Sequence, residues 1–108
     1  MDDDMKRQQF LKALEPAVAE ANRHAIHAKL PKVNQEIFLR FAVSVARVRA
    51  EYLAQAMTLA DREHGGVPND AEVAQLAGLR ARYEEAVKAY DALAHAVERG
   101  YVELDGGA

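Results

Sequence analysis

Four histidines, His24, His27, His64 and His95, are the residues in this sequence best suited to hold a metal or move a proton. Two of them share a useful spacing. Glu20, His24 and His27 stand at i, i+4 and i+7, which on a helix puts one carboxylate and two imidazoles along one face. Imidazole nitrogen and carboxylate oxygen suit Zn²⁺ and similar divalent ions, so Glu20, His24 and His27 form a candidate metal or small-ligand set. The pattern lacks both the His-Glu-x-x-His of metallopeptidases and the repeated Glu-x-x-His of carboxylate-bridged bundles, and no cofactor is expected. His64, beside Gly65, fits a helix C-terminus, where a cation complements the dipole.

Nucleophiles are scarce. The chain has no cysteine, and its one serine, Ser44, stands outside any Gly-x-Ser-x-Gly turn. Gly65-Gly66 has no Gly-Lys-Ser/Thr continuation that would cradle a phosphate. Glu84-Glu85 and Asp2 to Asp4 are neighbours in sequence, and neighbours on a helix do not face each other as paired catalytic carboxylates must. No catalytic residue is assigned, and the expectation leans away from an enzyme.

Charge layout says more than the formal net charge of −3. Residues 1–21 carry three basic and five acidic groups, residues 22–50 six basic and one acidic, and residues 51–108 five basic and eleven acidic. The basic middle suggests a second alternative, binding of nucleic acid or another polyanion through Lys29, Lys32, Arg40 and Arg47. Against it, acids of the third segment (Glu84, Glu85, Asp91 and Glu98) are expected at the same end, and no aromatic residues interleave with the basic ones. Nucleic acid is therefore not the expected partner.

These residues sit on elements that the sequence marks clearly. Of 108 residues 22 are alanine, the strongest helix former, and glycine and proline cluster between three segments of similar length. The first segment runs from about Asp3 to Lys29, with Phe10, Leu14, Ala17, Val18, Ala21, Ala25 and Ala28 at helical spacing. Pro16 inside it removes a backbone hydrogen bond, which predicts a kink or two helices meeting there. The second spans about Asn34 to His64, with Asn34 as cap, Val33 and Phe38 at staple positions, and Gly65-Gly66 as terminator. The third starts at Asn69, where Asn69-x-x-Glu72 fits a capping box, and ends near Gly100. Leu76, Tyr83, Tyr90 and Val97 repeat every seven residues along it, beside a line of Val73, Val87, Ala94 and Tyr101. Short connections force antiparallel neighbours. The expectation is an all-α, antiparallel three-helix bundle over residues 1–100, with long second and third helices. Residues 101–108 form a short tail expected to fold back through Tyr101, Val102 and Leu104.

The second helix carries more apolar surface than one side of a core needs. Its apolar positions cover roughly two thirds of its circumference, against a stripe a little over ~100° wide for a helix packed on one side. Two readings follow: burial between the other two helices, or burial against a second chain. The second leads. It predicts a small helical protein that works through protein contacts, as a homodimer or as an adaptor, assembly or regulatory subunit with a protein partner. The candidate interface residues are Phe38, Phe41, Val45, Val48, Arg49, Tyr52 and Leu59, because aromatic anchors dominate association energies. Arg49 lies within the apolar arc and needs a partner, with Glu15 or Glu85 level with it. The acidic start, Met1-Asp2-Asp3-Asp4, is unlike a signal peptide, and no apolar run approaches the ~20 residues of a membrane span. A soluble, cytoplasmic protein without a membrane partner is expected.

Overall fold

The computed structural model, which describes residues 2–61 and 66–105, contains three helices: α1 (Asp2–Lys29), α2 (Gln35–Ala60) and α3 (Asp70–Glu98). The protein is all-α: no strand forms among the described residues, and no helix among them is long and apolar enough to cross a membrane. The chain divides into two compact units, residues 1–34 with 95–108, and residues 35–94.

In the first unit, α1 opens with Asp2, Asp3 and Asp4 in its first turn, where negative charge meets the positive helix end. It runs without interruption past Pro16, so the predicted alternative of two separate helices meeting there is not adopted. The surroundings explain the tolerance: Lys12, whose carbonyl loses its partner, and Pro16 are both exposed, so water can satisfy that carbonyl. Replacing Pro16 with alanine should therefore stabilise α1 by about 2–3 kcal/mol. The gain is read as a higher urea midpoint and greater far-UV helicity, and an unchanged midpoint would contradict it.

α1 contributes no buried residue, and Phe10, Leu14 and Val18 of its predicted apolar face are exposed. Its half-buried positions are instead Ala19, Asn22, Arg23 and Ile26. Arg23 holds the chain's return: its Nε donates to the Gly100 carbonyl at 3.3 Å, and its guanidinium also pairs with Glu20. Gly100 adopts φ 74°, the left-handed conformation that ends a helix, and the Tyr101 N–H donates to the Ala96 carbonyl at 2.9 Å. The Gly100 N–H donates to the Val97 carbonyl at 3.0 Å, a second bond that completes the helix stop expected near this glycine.

The tail then folds back, as its apolar residues suggest. Tyr101 and Val102 are buried, and so is Val33. The Val33 N–H donates to the Glu103 carbonyl and the Asp105 N–H to the Val33 carbonyl, both at 2.9 Å, making a parallel bridge with Leu104. Lys32 and Glu103 pair at 3.7 Å beside it. A hydrogen bond with the Tyr101 side chain raises Arg99 further above its already high range, with Glu15 adding a smaller attraction.

In the second unit, the capping box predicted at Asn69 is formed in both directions. Asn69 Oδ1 accepts from the Glu72 N–H, and Glu72 Oε1 accepts from the Asn69 N–H, each at 2.9 Å. The Asp61 N–H donates to the Met57 carbonyl at 2.9 Å, closing the last described turn after α2. The predicted stop at Gly65-Gly66 and the capping role of His64 turn on residues 62–65, which lie outside the described residues. Helices α2 and α3 run antiparallel: Phe38 meets Tyr90, Tyr52 meets Tyr83, and Gln55 Nε2 donates to Gln75 Oε1 at 3.4 Å.

Candidate functional site

Each of the two helices offers its neighbour a line of residues spaced alternately three and four apart. On α2 that line is Phe38, Phe41, Val45, Val48, Tyr52, Gln55 and Leu59, every one of them buried or half-buried. On α3 it is Leu76, Leu79, Tyr83, Ala86, Tyr90 and Leu93, all half-buried. Such spacing keeps one stripe of each helix in register with the other over many turns. Tyr90 receives both Phe38 and Phe41 edge-on, with ring centroids 5.1 and 5.7 Å away. Tyr52 and Tyr83 lie nearly parallel at 6.3 Å. Val73, placed by heptad counting on a seam of α3, is exposed instead, and Leu79 and Ala86 complete the packed stripe.

The anchors singled out from the sequence are thus engaged within the chain. Phe38 and Phe41 meet α3 edge-on and Tyr52 stacks on it, Val45 and Leu59 are buried, and Val48 is half-buried on the same line. Arg49 finds a partner other than the predicted Glu15 or Glu85. Its Nε donates to the Tyr83 hydroxyl at 3.1 Å, and its guanidinium carbon stands 5.1 Å from the Tyr83 ring centroid. A tyrosine satisfies this arginine because Arg49 is exposed and keeps part of its hydration, so no carboxylate is required. Tyr83→Phe should cost about 0.5–1 kcal/mol by deleting the hydroxyl while keeping the ring. Arg49→Ala should cost roughly 0.5 kcal/mol more, because it removes the cation from the ring face as well. Equal losses in urea titrations would show that the ring face contributes nothing.

The surplus of α2 lies on a second line that the sequence analysis did not separate from the first. Leu39, Val43, Ala46, Ala50, Leu53, Met57 and Ala60 again step by four and three, and all are exposed. The large ones are conspicuous: Leu39 is 64 % exposed, Val43 39 %, Leu53 52 % and Met57 68 %. At 100° per residue this line lies roughly 150° around the helix from the packed one. It extends about 32 Å at 1.5 Å per residue. Scattered exposed leucines need no explanation, whereas a continuous apolar line on one element is unusual. The signal that would have found it was available, since seven positions at heptad spacing stand beside seven others.

The alternative site residues come out as follows. Glu20 is engaged by Arg23, His24 and His27 are exposed, and no group of three His, Asp or Glu able to hold a metal forms among the described residues. Lys29 and Lys32 belong to the first unit, Arg40 and Arg47 to the second. Lys32 pairs with Glu103, and Arg40 pairs with Glu36 at 2.6 Å, so two of the four cations are already met by carboxylates. An open groove also runs between α2 and α3, where Ala42, Val45 and Ala46 face Val87, Tyr90 and Asp91. It has no cluster of catalytic groups.

Comparison with protein-family models, with curated protein sequences and with solved structures returned no match for this chain.

Proposed function

We propose that this protein acts through protein contacts, as a self-associating helical module whose interface is the outer line of α2. The observation that carries the reading is the continuous exposure of Leu39, Val43, Leu53 and Met57 on one helix. The large side chains of that line, Leu39, Val43, Leu53 and Met57, lie on the side of α2 away from the stripe that α3 covers. Burying the remaining area of four such side chains on each of two copies is worth roughly 6–12 kcal/mol before association costs. Those costs are about 4–15 kcal/mol, so only the favourable end of the balance, about 8 kcal/mol net, gives association, and that end corresponds to a micromolar rather than a permanent dimer.

Sedimentation velocity over protein concentrations from about 1 to 200 μM brackets that affinity. The expected result is a weight-average mass rising from one chain toward two. A mass fixed at 11.9 kDa throughout would end the proposal. Binding of polyanions is the weaker reading, because Lys32 and Arg40 are already paired.

A further inference from the structure

The open groove between α2 and α3 has an apolar floor, with Val45, Val87 and Tyr90, and lips of opposite charge: Arg49 on α2 and Asp91 on α3. Arg49 gives its Nε to Tyr83, which leaves its Nη groups for a carboxylate. Asp91 is exposed, and no ion pair holds it among the described residues. Because Phe38 and Phe41 both meet Tyr90, Asp91 stands level with Leu39 or Arg40. That is roughly nine residues, or about 13 Å, along the groove from Arg49.

The chain itself holds a helix of matching pattern. Phe10, Leu11, Leu14 and Val18 are exposed on one side of α1, and the small Ala17 and Ala21 continue their stripe. The residues half-buried in its own unit, Ala19, Asn22, Arg23 and Ile26, lie roughly 130° around the helix, so that stripe stays available. Glu15 and His24 flank it on opposite sides, because nine residues at about 100° each make two and a half turns, and they too are about 13 Å apart. Both are exposed, and Glu15 has only a weak attraction to Arg99.

Direction follows from handedness. With the stripe inward and Glu15 turned to the α2 lip, a right-handed helix runs antiparallel to α2. His24 then reaches the α3 lip level with Asp91, where an imidazole N–H can donate to the carboxylate. The same register sets Leu11 on Leu53 and Val18 on Ala46. In the reverse direction Glu15 falls on the α3 lip, away from Arg49. Ala46 and Leu53 belong to the outer line of α2, so a helix seated here also covers the near edge of that line.

We propose that the occupant of this groove is α1 of a second copy, with Glu15 on Arg49 and His24 on Asp91. Stripe and groove both face water in the single chain, and a second copy covers the two at once. Each copy gives one helix and receives one, so the pair closes on a two-fold axis. The inference rests on the self-association reading and adds the element that covers the exposed surface.

Glu15→Arg and Arg49→Glu are made separately in the full chain, both at exposed sites, and folding is checked by far-UV circular dichroism. Either variant alone sets like charge on like charge twice per dimer and should dimerise at least about ten-fold more weakly than the parent. In an equimolar mixture each helix meets a groove of opposite charge, and affinity should return to within about three-fold of the parent. A mixture as weak as its components, or single variants as tight as the parent, takes α1 of a second copy out of the groove. Either result overturns the inference and leaves self-association standing.

Cross-linking gives a second reading that leaves the charges intact, since the chain has no cysteine of its own. Leu11→Cys chains are oxidised mildly with Leu53→Cys chains, and in parallel with Leu39→Cys chains, one partner carrying a mass tag. A disulfide needs Cα atoms within about 7 Å, and the register holds positions 11 and 39 about 20 Å apart. Mixed dimer through position 53 should exceed that through position 39 at least about ten-fold, and equal yields overturn the inference. A parent protein that stays monomeric at every concentration ends both readings together.

Discussion

Leu53→Glu is expected to abolish self-association while leaving the helices folded. Leu53 is 52 % exposed in the single chain, so a carboxylate there stays hydrated and costs the hairpin little. In the proposed dimer the same carboxylate is forced against apolar side chains, and the two-fold axis makes this happen twice. Each copy loses the leucine burial and must desolvate a charge, together roughly 2–3 kcal/mol on the scale of measured interface truncations. Two copies sum to about 4–6 kcal/mol, which weakens a micromolar dimer by about a thousand-fold or more. Sedimentation would then report one chain at all accessible concentrations, with helicity unchanged. A variant that still dimerises as tightly as the parent would remove Leu53, and with it the outer line, from the interface.

Val45→Glu is expected to do the opposite: unfold the α2–α3 hairpin itself. Val45 is 9 % exposed, in the middle of the stripe that faces α3. Replacing it buries an unpaired carboxylate and deletes apolar contacts, at about 3–5 kcal/mol. The hairpin has little to spare. Within residues 35–94 the described buried side chains are Val45 and Leu59 alone, so packing there depends on half-buried pairs such as Phe38 with Tyr90. A domain of this length typically has about 5–15 kcal/mol of stability in all. The loss should lower the melting temperature by roughly 15–30 °C, visible as helicity lost on mild heating. Melting temperature and mass both unchanged would mean that the packed stripe of α2 has been misassigned. The pair of substitutions is diagnostic because it separates two faces of one helix: one should change mass without stability, the other stability first.

How much of this could be read before any fold was known depended on the range of the interaction. The Asn69–Glu72 capping box and the Gly100 helix stop were legible because both are made within a few residues of backbone. The return of the tail was legible in outline, since Tyr101 and Val102 are too apolar to leave in water. Its partner was not: the bridge between Val33 and Leu104 joins residues about seventy apart, and no local pattern announces it. The partner of Arg49 was missed for a related reason. Levelling antiparallel helices suggested a carboxylate, whereas an exposed setting lets the ring and hydroxyl of Tyr83 suffice.

The candidate interface shows the same division most sharply. Counting apolar residues on α2 revealed that there were too many, but two lines of identical spacing run along that helix, and periodicity treats them alike. The bulkier line, with Phe38, Phe41 and Tyr52, looked like the interface and is in fact the face held by α3. The choice was made by ring shape: Tyr83 and Tyr90 offer edges and faces that aromatic side chains fill better than Leu39 or Met57 would. Composition, periodicity and caps thus determined three helices, their approximate ends and an apolar excess on the second, because those follow from torsional preference and local hydrogen bonds. Which stripe of α2 went to α3, and which was left facing water, was decided by the tertiary structure, because complementarity between two surfaces exists only once both are formed.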